Sequence, residues 1–131
     1  MTRWIDTNVF LRYLEKTDSA VNFMEKVRNG GEYYNVPSVV INEIAWVLES
    51  LYRLEKSQVI DYLTRLLAVN KFKIIYKGDW QSALNRWKLS SIKLTDWYIW
   101  SYMLDGDEIV SYDKHFDKMP GIKRIEPGDL Y

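Results

Sequence analysis

The chain has 131 residues, 47% hydrophobic and 27% charged, which suits one domain with a sizeable core and excludes a disordered polymer. Its 18 Lys and Arg balance 18 Asp and Glu, so the strong non-specific pull of a basic domain is missing, though a nucleic-acid partner is not forbidden. With no cysteine and one histidine, His115, disulfides and thiolate metal sites are excluded, and any bound metal would be a hard cation on carboxylate oxygens.

In chain order, "TRWI" (2 to 5) reads as a short strand that runs straight into Asp6. "VFLRYL" and "AVNFMEKV" have helical spacing, the second placing Ala20, Phe23, Met24 and Val27 on one face before "NGG" stops it. "YYNV" (33 to 36) is the next strand, and Pro37-Ser38 opens a helix through about Tyr52. "SQVIDYLTRLLAV" (57 to 69) is amphipathic, and "FKIIY" (72 to 76) is strand-like. Trp80, Ala83, Leu84 and Trp87 form a helical stripe. "TDWYIWSYML" (95 to 104) predicts a helix, "EIVSY" (108 to 112) a buried strand and "IKRIE" (122 to 126) a last short strand.

Strands separated by helices need crossover connections, so the expectation is an α/β domain: a central, mostly parallel sheet of about five strands with helices on both faces. Ligands in such sheets bind outside the carboxyl ends of the strands, near a reversal of strand order. Asp6 and Asp113 both follow strands and belong at that edge. The longest uninterrupted apolar run, "IAWVL" (44 to 48), is too short to span a bilayer, and no leader precedes Asp6. The expectation is a cytoplasmic protein with no membrane contact.

Four acids stand out, each with a plainer explanation beside it. Asp6 suits a helix cap. Glu43 has Val39, Val40, Trp46 and Val47 at its helical neighbour positions, while Ile41, Ile44, Ala45 and Leu48 form a separate stripe for the sheet. An ionised glutamate there needs a compensating cation or donor, or else a dimer partner covers that face. Asp96 fits the positive end of a helix dipole, and Asp113, with Asp117 a turn later, fits a cap for "KHFDKM". Taken together, acids from two strand ends and two helices can meet in one site, where mutual repulsion is relieved by a divalent cation. His115 has no nucleophile at a recognisable spacing and reads as a surface residue. Trp97, Trp100 and Tyr102 read as core, and "DGDE" (105 to 108) as a turn. The acid pair of a phospho-acceptor receiver domain is missing, and Asp79 reads as a helix cap.

"IDTNVFLRYL" with Asp6, "INEIAWVL" with Glu43, "LTDWYIWSYM" with Asp96 and "IVSYDKHFDKMPGIKRI" with Asp113 resemble the four acidic motifs of PIN domains. The likeness is greatest to the short VapC-type toxins of toxin–antitoxin pairs. The resemblance implies catalytic roles for Asp6, Glu43, Asp96 and Asp113, with Asp6, Asp96 and Asp113 as metal ligands and Mg²⁺ or Mn²⁺ as the ion. It implies polar support from Asn8 and Ser111, the latter where threonine is usual, and a part for Asp117. It further implies an endoribonuclease leaving a 5′-phosphate and a 3′-hydroxyl, a homodimer, and a small antitoxin partner. Trp97, Trp100 and Tyr102 depart from the small residues usual after the third acid. The alternative is a catalytically degenerate PIN-like module that binds RNA or protein.

Overall fold

A computed structural model of the chain describes residues 1 to 130. Its strands are β1 (Arg3–Ile5), β2 (Tyr34–Pro37), β3 (Phe72–Ile75), β4 (Glu108–Val110) and β5 (Lys123–Ile125). All neighbouring pairs are parallel, in the order β3-β2-β1-β4-β5. The α/β expectation is met, with a sheet wholly rather than mostly parallel. Ile5, Val36, Ile109 and Val110 are fully buried, as strands covered on both faces require. Each such side chain contributes about 1.5–3 kcal/mol over its exposed state.

The helices are α1 (Thr7–Leu14), α2 (Asp18–Asn29), α3 (Ser38–Ser50), α4 (Lys56–Leu67), α5 (Trp80–Trp87) and α6 (Leu94–Ser101). α2 buries the four residues its spacing predicts, Ala20, Phe23, Met24 and Val27. It ends before Gly30, where a Cβ would lie 2.7 Å from the Lys26 carbonyl oxygen. Other boundaries differ at their ends. α3 stops at Ser50, α6 at Ser101, and β4 at Val110, beyond which the chain turns towards Asp113. On α3 the sheet-facing stripe is Val40, Ile44 and Leu48; Ile41 and Ala45 flank it, half-buried. The α5 stripe forms the helix that its spacing predicts, yet most of it faces outward. Only Ala83 is buried, while Trp80, Leu84 and Trp87 stay exposed.

Helix α1 packs on α2 and α3, α3 packs on α4, and α5 pairs with α6. The chain steps from β1 to β2 to β3 in one direction, then returns past β1 to reach β4. Right-handed crossovers therefore put α1 to α4 on one face and α5 and α6 on the other. The reversal falls between β1 and β4, whose carboxyl ends carry Asp6 and, three residues beyond Val110, Asp113. Among the described residues no helix is long and apolar enough to cross a membrane.

Candidate active site

Asp6 sits where β1 becomes α1. Its amide donates to the Val110 carbonyl at 3.0 Å, fixing it beside β4, and its Oδ1 accepts the Thr7 amide at 2.8 Å as an N-cap. The cap explanation is therefore correct but incomplete, because Oδ2 accepts the Ser111 hydroxyl at 2.7 Å. Ser111 ties the two strand ends together. Its Oγ also accepts the Asn8 amide at 3.2 Å and the Asp113 backbone N–H at 3.0 Å. Asn8 completes the link by accepting the Tyr112 N–H at 3.1 Å. The two polar residues thus hold the acid after β1 and the acid after β4 in fixed relation.

Asp96, in the first turn of α6, is 2% exposed. Its Oδ2 is buried with no hydrogen-bond partner, a costly arrangement for a carboxylate unless something else compensates it. Glu43 projects from α3, where its Oε1 accepts the Thr7 hydroxyl and its Oε2 lies 3.2 Å from Lys93 Nζ. Lys93 is also 3.9 Å from Asp96. Asp6, Glu43, Lys93, Asp96 and Asp113 line one cavity of about 200 Å³. The compensating donors that Glu43 needs are Thr7 and Lys93.

Burial above all, with the charges of Asp96 and Glu43 adding to it, pushes the Asp6 carboxyl up to about 7 against the pull of the Ser111 hydroxyl and the Thr7 amide. Asp96 is likewise raised to about 7, by burial first and by Asp113 and Glu43, against the opposing pull of Lys93. For Lys93 burial lowers the ammonium pKa, but Asp96 and Glu43 outweigh it and the net shift is upward. Two carboxyls that hold protons near neutrality, and one oxygen without a partner, mark a site short of positive charge. An all-oxygen donor set of this kind fits a hard divalent cation.

Thr7, Lys93 and His115 join the site without a clear signal in the sequence. Lys93 carries a weak signal, one helical turn before Asp96. His115, expected on the surface, is half-exposed yet turned to the acids, with Nδ1 3.2 Å from Asp113 and 3.9 Å from Asp96. Candidate ligand atoms of Asp96, Asp113 and His115 all lie within 4.8 Å of one another. Asp117 stands apart from the other acids. It does not line the cavity, because Arg124 on β5 holds both its oxygens, at 3.0 and 3.2 Å.

The PIN domain model matches residues 4–122, so it spans all four acids. This chain belongs to the PIN-domain family. A relative from Aquifex aeolicus (strain VF5), named VapC ribonuclease, is 26% identical over 129 residues, covering 94% of this chain and 95% of its own. Membership in the PIN-domain family fits the parallel sheet and the acids at its carboxyl edge.

Proposed function

We propose that this PIN domain is a metal-dependent endoribonuclease, the cytoplasmic toxin of a type II toxin–antitoxin pair. The observation that carries the reading is the convergence of Asp6, Glu43, Asp96 and Asp113 on one cavity from four separate elements. The ribonuclease name of the Aquifex aeolicus relative, similar along nearly its whole length, supports it.

Asp6, Asp96 and Asp113 would hold Mg²⁺ or Mn²⁺, with the unpartnered Asp96 Oδ2 as the open ligand atom. When bound, the ion supplies Lewis-acid charge and a more acidic water. Glu43, steadied by Thr7 and Lys93, takes the proton of the attacking water. Ser111 and Asn8 keep Asp6 and Asp113 from drifting apart. Lys93, exposed at the rim, faces the negative charge of the phosphodiester. Hydrolysis breaks the bond from phosphorus to the 3′-oxygen, leaving a 5′-phosphate and a 3′-hydroxyl.

A homodimer and an antitoxin partner belong to the same proposal. Trp80, Leu84 and Trp87 on α5, and Trp46 on α3 with Ile60 and Leu67 on α4, leave large apolar side chains exposed. Apolar surface of this kind marks interaction faces.

The deciding experiment incubates RNA with the purified chain in Mg²⁺, Mn²⁺ or EDTA. Cleavage is expected only with the metals, with Asp6→Asn and Asp96→Asn slower by roughly a hundredfold or more. Equal cleavage by all three proteins would overturn the assignment. RNA binding with no cleavage under any condition would favour the degenerate module instead.

A further inference from the structure

Beside the acidic cavity lies a second hollow of about 480 Å³, lined by no carboxylate. Arg86, Ser90, Ser91, Trp97, His115 and Lys118 supply its polar wall. Arg86 and Lys118 are exposed, and neither is in an ion pair among the described residues. Arg86 is steadied by the Trp100 ring, whose centroid lies 5.3 Å from the guanidinium carbon. Trp100 is itself fixed by its Nε1 donating to the Pro120 carbonyl at 2.9 Å. Trp97 meets Trp100 edge-on at 5.4 Å and is 5% exposed, and its Nε1 has no acceptor. Buried indole N–H groups find an acceptor as a rule, so an orphan on the wall of a cationic hollow points to a ligand that brings one.

That ligand must be an anion rich in acceptor oxygens. We propose that the hollow is a phosphate subsite, which holds a phosphate of the RNA strand next to the one cleaved at the acids. His115 joins the two places, lining the hollow while its Nδ1 sits 3.2 Å from Asp113 Oδ1. A polynucleotide carries one charge per nucleotide, so one strand fills both places at once. A polyglutamate peptide, which also carries regularly spaced anionic oxygens, is the control that separates an RNA strand from a general polyanion. Arg86 and Lys118 attract the phosphate, Trp97 Nε1 and the two serine hydroxyls donate to it, and the subsite sets how the strand enters the acidic cavity. The inference rests on the nuclease reading.

The test measures binding of a labelled single-stranded RNA to the full chain in EDTA, where metal-dependent cleavage is absent, across a salt series. In Arg86→Gln/Lys118→Gln, both changes at exposed positions, affinity is expected to fall on the order of tenfold. The slope of log K against log salt should drop by about 1.4, two charges at ~0.7 each. Wild-type affinity and slope in that variant would overturn the subsite. A second readout is the Trp97 indole N–H resonance, assigned by its loss in Trp97→Phe. It is expected to move on adding RNA. A resonance unmoved by saturating RNA, or moved equally by inorganic phosphate or polyglutamate, would overturn the assignment to an RNA strand. Failure of the wild type to cleave RNA in Mn²⁺ would sink the nuclease reading and the placing of the hollow beside a cleaved phosphate. The binding data, taken without metal, test the hollow as an RNA phosphate site independently of cleavage.

Discussion

Asp6 gives one oxygen to the Thr7 amide and the other to the Ser111 hydroxyl, and still burial lifts its carboxyl to about 7, as it does for Asp96. The consequence is a pH dependence with a definite sign. An aspartate in the unfolded chain ionises near 3.8, so between there and about 7 the native state binds more protons than the unfolded one. Stability contributed by these groups is present in full below the lower value and is lost as pH rises through the upper one. In EDTA the melting temperature should therefore fall from pH 5 to pH 8, and Asp6→Asn/Asp96→Asn should flatten the slope. Saturating Mn²⁺ should restore stability at pH 8 by binding the native state. Asp107 does not confuse the reading. Burial raises its pKa, but hydrogen bonds from the Leu104 and Thr2 amides and the Trp4 indole outweigh that and bring it below the usual value, so its contribution is lost only at lower pH. A melting temperature that stays flat or climbs from pH 5 to pH 8 in EDTA would contradict the electrostatic account of the site.

At the scale of elements, α6 carries Asp96, and aromatic residues of the helix and its C-cap pack it against its neighbours. Tyr98 stacks on Trp80 of α5 at 3.7 Å and an interplanar angle of 12°, and accepts the Gly78 amide at 3.3 Å. Tyr102 packs edge-on to Trp4 and to Tyr98, and its hydroxyl is 3.1 Å from Ser38 Oγ. Trp97, Trp100 and Tyr102 replace the small residues that the family resemblance leads one to expect, and for Tyr102 the space is recovered at Gly78. A Cβ there would lie 2.7 and 2.8 Å from Tyr102 ring carbons and 2.9 Å from Ser101 Oγ. Gly78→Ala must therefore displace a ring held on three sides. Overpacking of this kind costs roughly 1–3 kcal/mol. Urea denaturation should show a lower midpoint with an unchanged m-value. An unchanged midpoint would mean that Tyr102 yields freely and that α6 is less tightly set than its contacts imply.

For the whole molecule, what could be read from the sequence is what depends on order along the chain. Alternating strands and helices required a parallel sheet, and acids directly after strands had to fall at its carboxyl edge, where Asp6 and Asp113 do lie. What depends on which helix faces meet was not legible. Thr7 and Lys93 reach Glu43 only after α1, α3 and α6 converge, and His115 turns inward only because the short 3₁₀ turn Lys114–Lys118 folds back over Asp96. The α5 stripe shows the same limit, since an apolar face has one period whether it meets the core or another molecule. Trp80, Leu84 and Trp87 recur at i, i+4 and i+7 and remain exposed, with Trp80 immobilised by its stack on Tyr98. Rigid aromatic anchors lose little entropy on association, and a two-fold dimer can bury the same patch on both copies. The expected mass by light scattering is that of two 15.7 kDa chains, with Leu84→Glu/Trp87→Glu sedimenting as one. Trp46→Glu, on the separate α3 face, should leave the pair intact. A double variant that still pairs would place the contact between copies elsewhere than on α5.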